Sequence, residues 1–329
     1  MGKLSQIGDL VPPNTVLHDR FLVVRRLGQG GFGQVSAGRD LTRKKNVVAI
    51  KAEMRFRNSR EGDPRRLIIE QRVMIALRGK RHIPLIFASG KTENGNPYIV
   101  MSLLGATLSD LRLKRPKYHF TLPTTICASQ QILCGLQYLH EVGFIHRDVK
   151  PCNTCVGKKD PRTLYIIDFG MCRRIVLPNG QKRPPRKHPH FRGTYRYASL
   201  RMHERVECGP ADDIQSWLYA MVELYLRELP WSKFEDSYRV LSMKKGTQLS
   251  VLCTGMPTPF LESFQYVNQL KWDDTPDYDH IHSLWRSCLD SLVDYTRKFD
   301  WELTDGDIDA RSKSVSIEKN PQKHQLPKN

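Results

Sequence analysis

Several features that would classify a protein at once are missing from this chain of 329 residues. No uncharged apolar run approaches the roughly 20 residues of a membrane-spanning helix. The best, Trp217 to Leu226, is short and broken by Glu223. No apolar segment opens the chain, which reads against secretion. Met1-Gly2 is followed by Gln6 where N-myristoylation wants Ser or Thr. The eight cysteines are scattered, as in proteins with reduced intracellular thiols. Cys152 and Cys155 have CxxC spacing, but no second CxxC or His pair completes a zinc or redox site. Internal repeats are absent. Acidic residues are scarce, 34 against 52 basic ones, and the net charge of +18 favours anionic partners: nucleic acid, acidic lipid, acidic or phosphorylated protein. The rest, 40% hydrophobic and 26% charged, is ordinary for a soluble globular protein, with length for one large two-lobed domain or two smaller ones.

Residues 21–27, Val35 to Gly38 and Val47 to Lys51 read as strands. The glycine string Gly28-Gln29-Gly30-Gly31-Phe32-Gly33 therefore joins strand to strand. A dinucleotide-binding fingerprint needs a helix at that point, and the Gly-Lys-Ser/Thr of a Walker loop is missing. Asp63-Pro64 is a good helix start, followed by Leu67, Val73, Met74 and Leu77 at helical spacing. Glu70 sits in that stripe; an inward carboxylate needs a cationic partner, and Lys51 is the candidate. Tyr98 to Met101 reads as a strand with its exit over Ser102 to Gly105. Pro123 to His140 reads as a helix with Ile126, Leu133, Leu136 and Leu139 inward, ended by Gly143. Thr154 to Val156 and Leu164 to Ile167 suit a hairpin. Asp212 to Leu226 suits a helix central to the larger lobe, and helical patterns recur around 280–298. After Trp301 the chain turns polar, and 303–329 reads as a flexible tail.

Four short motifs occur once each, in order: the glycine string, Val48-Ala49-Ile50-Lys51, His146-Arg147-Asp148 through Asn153, and Asp168-Phe169-Gly170. Singly they are weak: a glycine hairpin turn, a surface lysine, a strand-ending turn. In this order and spacing they are the signature set of protein kinases, and their roles follow the phosphoryl-transfer template of that family. Gly28, Gly30 and Gly33 let the backbone close over triphosphate oxygens, with Gln29 and Gly31 in the same loop and Phe32 shielding its tip. Lys51 holds the α- and β-phosphates and is held by Glu70. Asp148 accepts or orients the acceptor's proton, and Lys150 neutralises charge on the moving phosphoryl group. Asn153 and Asp168 bind magnesium, a hard cation that favours oxygen.

The chain thus resembles a protein kinase, and Lys150 with Gly193-Thr194 resembles the serine/threonine class. The usual Ala-Pro-Glu is replaced by Arg196-Tyr197-Ala198-Ser199. That string, Ser102-Leu103-Leu104-Gly105 and Leu229-Pro230-Trp231 resemble the casein kinase 1 superfamily. Arg183-Pro184-Pro185-Arg186, Phe191-Arg192-Gly193-Thr194 and Pro276-Asp277-Tyr278 resemble its tau-tubulin kinase branch. The resemblance implies an α+β bilobal fold. An N-terminal extension (1–17) precedes a mostly antiparallel β N-lobe with one key helix (18–101), a hinge (102–105), a mainly helical C-lobe (106–302) and the tail.

It implies an ATP site that includes Val35, Ala49, a gatekeeper at Met101 and backbone groups of Ser102 and Leu104. It also implies an aspartate, Asp213, that braces the catalytic loop. The implied cofactors are ATP and Mg2+. Met171-Cys172 departs from the usual Leu-Ala and suggests an accessible thiol at Cys172.

Between Met171 and Tyr197 there are eight Lys/Arg and no acid. Such a block is often only a solvated face. Its position, where a protein substrate must pass, points to acidic or already phosphorylated acceptors, with Arg192, Arg196 and Lys233 as anion-binding candidates. The expected partners are such proteins, cytoskeletal ones among them, met by a monomer in the cytoplasm or nucleus with no membrane and no specific nucleic acid. By resemblance, activity without activation-segment phosphorylation is expected. The rival readings are a catalytically inactive kinase-like scaffold and a polyanion-binding protein; complete catalytic motifs oppose the first, and the lack of a recognised nucleic-acid module opposes the second.

Overall fold

Strand-forming residues dominate the first hundred positions and helix-forming stripes the rest, and the chain folds accordingly. The computed structural model describes residues 8–30, 33–43, 46–54, 66–289 and 298–303. The N-lobe is an antiparallel sheet of six strands: β1 (Val16–Leu17), β2 (Phe21–Gln29), β3 (Gly33–Asp40), β4 (Val47–Glu53), β5 (Ile86–Lys91) and β6 (Pro97–Ser102). Their order is β1-β2-β3-β4-β6-β5. The expected strands are all present. β5 carried no clear alternation, with Phe87 exposed and Ala88 to Gly90 half-buried along it. Among the described residues of this lobe one helix, α1 (Arg66–Ala76), packs against β5 and β6 and buries Leu67, Glu70, Val73 and Met74. The expected helix start at Asp63-Pro64 lies outside the described residues.

The N-lobe begins earlier than residue 18. Leu10, Val11 and Leu17 are buried with Phe21, Val23, Val48 and Ile50 in the outer core of the sheet. Gln34 of β3 fixes this segment from inside: its Oε1 accepts from Leu10 N at 2.7 Å, and its Nε2 donates to the Val11 carbonyl at 3.1 Å. A glutamine in a strand gives no local hint that it will pair with backbone 23 residues away, so the sequence alone read this stretch as an extension.

The C-lobe contains α2 (Leu108–Leu113), α3 (Leu122–Glu141), α4 (Leu200–Glu204), α5 (Pro210–Leu226), α6 (Ser237–Gly246), α7 (Leu249–Leu252), α8 (Thr258–Gln269) and α9 (Tyr278–Ser287). Three short strand pieces and a hairpin partner carry its loops: β7 (Phe144–Ile145), β8 (Thr154–Val156), β9 (Leu164–Ile166) and β10 (Arg173–Arg174). β8 pairs antiparallel with β9, and β10 with β7. α5 is the central helix, buried from Pro210 through Leu224. α3 packs beside it and stops at Gly143, which takes a left-handed φ of +80°. Asp300, 179 residues further along the chain, holds the start of α3, accepting from Thr121 N at 2.6 Å and from Thr121 Oγ1 at 2.9 Å. Helical periodicity around 280–298 is realised in α9; residues 290–297 lie outside the described residues, as does the expected tail from 304 onward.

The two lobes share one core. Leu67, Val73, Met74 and Leu77, with Ile86 and Ile99 of the sheet, join the cluster that holds Leu136, Ile166, Phe169 and Trp217. Fully burying a side chain of this kind stabilises by about 1.5–3 kcal/mol. A chain beginning at residue 18 loses three such residues from the outer N-lobe core. It is therefore expected to melt clearly below one beginning at residue 8, as measured by calorimetry. Equal melting temperatures would show that residues 8–17 add nothing to the lobe.

Candidate active site

Strand register determines which side chains meet. Val35 lies opposite Lys51, and Ala37 opposite Ala49, across β3 and β4. Ala49 lies opposite Met101 across β4 and β6. Because side chains alternate faces along a strand, Val35, Ala37, Ala49, Lys51 and Met101 share one face. The Lys51 amine shows which: its Nζ donates to Glu70 Oε2 of α1 at 2.6 Å and to Asp168 Oδ1 at 2.9 Å, on the side of the C-lobe. Ala37 was missed in the sequence, although the period-two pattern from Val35 points to it.

The pairing of Lys51 with Glu70 inferred from the apolar stripe is present, and burial makes it demanding. Glu70 is 2% exposed. Burial and the Asp168 charge push the Glu70 carboxyl up, against the attraction of Lys51. Burial alone would lower the Lys51 pKa, but Glu70 and Asp168 outweigh it and raise it. Burial likewise raises the Asp168 carboxyl, but the charge and hydrogen bond of Lys51, with His146 and Lys150, hold it below the usual carboxylate range.

At the rim of this face Gly28 lies in the last residues of β2, and the Gly30 N–H donates to the Gly33 carbonyl at 2.9 Å. Gln29 pairs with Gln34 across the two strands. A Cβ at Gly33 would stand 2.5 Å from the Ala52 carbonyl oxygen, so only glycine fits there. Gly31 and Phe32 lie outside the described residues. At the back, Ser102 is bonded to Leu85 through its N–H and its Oγ, and Gly105 N donates to the Val156 carbonyl at 2.8 Å. These bonds hold 102–105, including the half-buried Leu104, between the lobes.

The second half of the site is built on loops braced by Asp213. This fully buried carboxylate of α5 accepts from His146 N at 2.6 Å and Arg147 N at 2.8 Å, and meets His140 Nε2 at 2.9 Å. Burial raises the Asp213 carboxyl, but the His140 hydrogen bond, nearby imidazole charge and the backbone donor outweigh it and keep its pKa low. The loop it holds places Asp148 among polar neighbours. Asn153 Nδ2 donates to the Asp148 carbonyl at 2.9 Å and to Asp148 Oδ2 at 3.2 Å. Lys150 Nζ lies 2.8 Å from Asp148 Oδ2 and donates to Thr194 Oγ1 at 2.7 Å. Thr194 Oγ1 in turn donates to Asp148 Oδ1 at 2.8 Å. A Cβ on Gly193, whose φ is +112°, would lie 2.4 Å from the Arg147 carbonyl oxygen, so the approach of this turn to the loop requires glycine.

The activation segment lacks Ala-Pro-Glu, and other groups anchor it. Tyr197 Oη donates to Glu223 Oε2 at 2.5 Å, and Trp231 Nε1 donates to the Arg196 carbonyl at 2.8 Å. Lys244 of α6, itself buried, donates to the carbonyls of Tyr195 at 2.9 Å and Ala198 at 2.5 Å. Two sequence expectations change here. Arg196, an anion-binding candidate, spends its guanidinium on Glu223 Oε1 at 3.0 Å and the Ser232 carbonyl at 3.0 Å. The structure brings Arg192, half-buried, and Lys233, exposed, into no ion pair among the described residues. Cys172 is 2% exposed rather than accessible, and burial pushes its thiol well up, away from the reactive thiolate.

Glu207, just ahead of α5, went unnoticed in the sequence because both its partners lie in the activation segment. Its Oε2 accepts from Arg186 N at 2.8 Å and Arg186 Nε at 2.9 Å, and its Oε1 from Arg173 Nε at 3.2 Å. Burial raises its carboxyl, but the hydrogen bonds and charge of Arg186, with Arg173, hold it at about 2, against 4.5 unperturbed. A depressed carboxylate stabilises fully above its unfolded pKa and loses that contribution as pH falls toward its folded one. Glu207→Gln should therefore cost on the order of 2–3 kcal/mol at neutral pH, allowing for the partly exposed Arg186. The gap to wild type should close between about pH 4.5 and 2, read from chemical denaturation at a series of pH values. A pH-independent gap would assign Glu207 no ionic role.

The protein kinase domain family matches residues 21–294. A Dictyostelium discoideum protein, provisionally named a serine/threonine-protein kinase, is 33% identical over 294 residues, covering 88% of this chain. A provisionally named casein kinase I of Caenorhabditis elegans is 37% identical over 237 residues, 71% of this chain, and a provisionally named serine/threonine-protein kinase of the same organism is 34% identical over 275 residues, 82% of it. The chain spans 58%, 68% and 78% of the length of these relatives, in that order. With the match running from β2 through α9 and the motif residues converging between the lobes, the chain belongs to the protein kinase family.

Proposed function

We propose that this chain is a serine/threonine protein kinase that transfers the γ-phosphoryl group of ATP to protein hydroxyls. The observation that carries the reading is the Lys51 amine held at 2.6 Å from Glu70 and 2.9 Å from Asp168, facing the Asp148, Lys150, Thr194 and Asn153 cluster. Phosphoryl transfer asks the protein for positioning and charge neutralisation rather than covalent chemistry. Lys51 offers a fixed cation for the α- and β-phosphates. The face of Val35, Ala37, Ala49 and Met101 offers an apolar bed for adenine, with the backbone of Ser102 and Leu104 at its edge. Gly28 and Gly30 at the end of this face carry no side chain that would bar the approach of phosphate oxygens.

The residues present fit a divalent cation. The Asp168 side chain is 44% exposed, and only its Oδ1 is taken by Lys51. Asn153 uses its Nδ2 on Asp148, which leaves its Oδ1 as the ligand atom. One carboxylate and one amide oxygen, with phosphate and water completing the shell, suit Mg2+, which dehydrates reluctantly. When bound, the ion would neutralise phosphate charge. Asp148, bonded to Thr194, Lys150 and Asn153, is placed to accept the acceptor hydroxyl's hydrogen bond and hold its proton. Lys150 lies beside it to balance charge on the transferred group.

The finer reading is a member of the casein kinase 1 superfamily near its tau-tubulin kinase branch, acting on acidic or already phosphorylated proteins, cytoskeletal ones among them. Its support is the set of strings around the activation segment and the basic residues Arg192 and Lys233, which keep their charge for a ligand. Guanidinium and ammonium groups recognise carboxylate and phosphate.

Asp148→Asn is expected to lower kcat about 10²–10⁴-fold, the usual contribution of a proton-handling group. Affinity for Mg-ATP, read by calorimetry, should stay unchanged. Retained turnover in that variant would remove Asp148 from the reaction, and a wild-type chain that binds Mg-ATP without labelling any protein would favour the inactive scaffold. Arg192→Gln combined with Lys233→Gln is expected to raise KM for an acidic peptide several-fold at low salt while leaving KM for a neutral peptide in place. An equal rise for both peptides would dismiss the acidic preference.

A further inference from the structure

The helix α6 meets the rest of the C-lobe through two inward side chains one turn apart, Val240 and Lys244. The second position on such a stripe suits an aliphatic residue. Lys244 is instead 6% exposed, while the ion pair of this turn belongs to its exposed neighbour Lys245, which meets Glu204 at 2.7 Å. No carboxylate pairs with the Lys244 amine among the described residues. Burial works against an ammonium there and pushes the pKa of Lys244 well down. What holds the amine is neutral: the Tyr195 carbonyl at 2.9 Å, the Ala198 carbonyl at 2.5 Å, and the rings of Tyr219 and Trp231, whose centroids lie 4.6 and 5.1 Å from Nζ.

Packing does not call for this arrangement. Burying an ammonium is costly, and an apolar side chain of the same length would fill the same space. The amine supplies something methionine lacks, N–H groups that converge on two carbonyls of one segment.

Those carbonyls bracket the turn that begins at Thr194. Tyr197 N and Ala198 N both donate to the Thr194 carbonyl at 3.0 Å, which closes the turn. Within it, Arg196 and Tyr197 reach Glu223, and Trp231 Nε1 donates to the Arg196 carbonyl. His203 Nε2 shares the Tyr195 carbonyl at 3.0 Å. Burial, then the charge of Lys244, pushes the His203 imidazole down to about 4, so at neutral pH it meets that carbonyl as a neutral ring with its hydrogen on Nε2. At the start of the turn, Thr194 Oγ1 accepts from Lys150 Nζ and donates to Asp148 Oδ1 at 2.8 Å. Lys244 is thus joined to Asp148 through the backbone of one turn and a single hydroxyl.

We propose that Lys244 is a positioning residue for phosphoryl transfer, on the reading of Asp148 given above: by holding the Tyr195 and Ala198 carbonyls it fixes the turn of Thr194, and with it the hydroxyl that orients Asp148 toward a protein acceptor. Its loss is felt in the use of the acceptor. The nucleotide side, where Lys51 meets Glu70 and Asp168, is left as it was, because Lys244 makes no bond to those residues.

Lys244→Met tests this in two ways. Without ATP, hydrogen exchange read by mass spectrometry should speed at least tenfold in residues 194–198 and keep its wild-type rate in α1 and α5. Unchanged exchange in 194–198, or acceleration spread through α5, would overturn the proposal. With ATP and dephosphorylated casein as the acceptor, kcat/KM for casein is expected to fall at least tenfold while KM for ATP stays in place. An unchanged kcat/KM, or KM rising equally for ATP and casein, would overturn it as well, the latter by making Lys244 a general support of the lobe. Should the melting temperature show the Met variant misfolded, Lys244→Gln takes its place in both measurements. A wild-type chain that labels no protein would sink the kinase reading instead, and the exchange measurement would still decide whether Lys244 holds the turn.

Discussion

One amine ties the architecture together. Lys51 Nζ stands between Glu70 and Asp168, and these three residues come from a strand, a helix and a loop of different lobes. Leaving a carboxylate as buried as Glu70 without its cation would cost about 3–5 kcal/mol, so α1 is stable only where Lys51 reaches it. The hydrophobic face of α1 enforces the same placement, because Leu67, Val73, Met74 and Leu77 share a core with Phe169, the neighbour of Asp168. Packing and electrostatics therefore agree on one position for the helix. Such agreement gives a single native arrangement rather than a set of near-equivalent ones.

Strain accompanies the catalytic loop. Arg147 (φ 68°) and Asp168 (φ 64°) both occupy the left-handed region although neither is glycine. Residues held in sparsely populated backbone regions cost of order 1–3 kcal/mol each and persist only where the surroundings over-determine them. Here the surroundings are explicit. Asp213 receives the N–H groups of His146 and Arg147, and Lys51 and the packed Phe169 hold Asp168 on the other side. Burying Asp213 is tolerable because each oxygen has a donor.

Much of the positive charge is committed internally. Of the basic residues in the activation segment, Arg173 and Arg186 serve Glu207, Arg196 serves Glu223, and Lys182 donates to the Asp273 carbonyl. Together with Lys244 beneath Tyr195 and Ala198, these contacts secure a segment that has no Ala-Pro-Glu anchor. Part of the segment's charge is thus structural, while Arg192 and Lys233 are in no ion pair among the described residues.

The chemistry of the site was readable in the linear chain because phosphoryl transfer demands particular groups at short, fixed spacings. Asp148 to Asn153 is one loop, Asp168 lies just past one strand, and Glu70 betrayed itself as a charge inside an apolar stripe. The strands β2, β3, β4 and β6 and the helices α3 and α5 were legible for a similar reason: alternation and helical stripes are local consequences of having one buried face. What stayed hidden depends on partners far apart in the chain. Leu10 and Val11 join the N-lobe core where Gln34 meets their backbone, Glu207 becomes a clamp only when Arg173 and Arg186 fold over it, and the Arg196 guanidinium is engaged by Glu223 of α5. A sequence records which charges and apolar groups exist. Their pairing depends on distance and burial, which arise only once the lobes have packed.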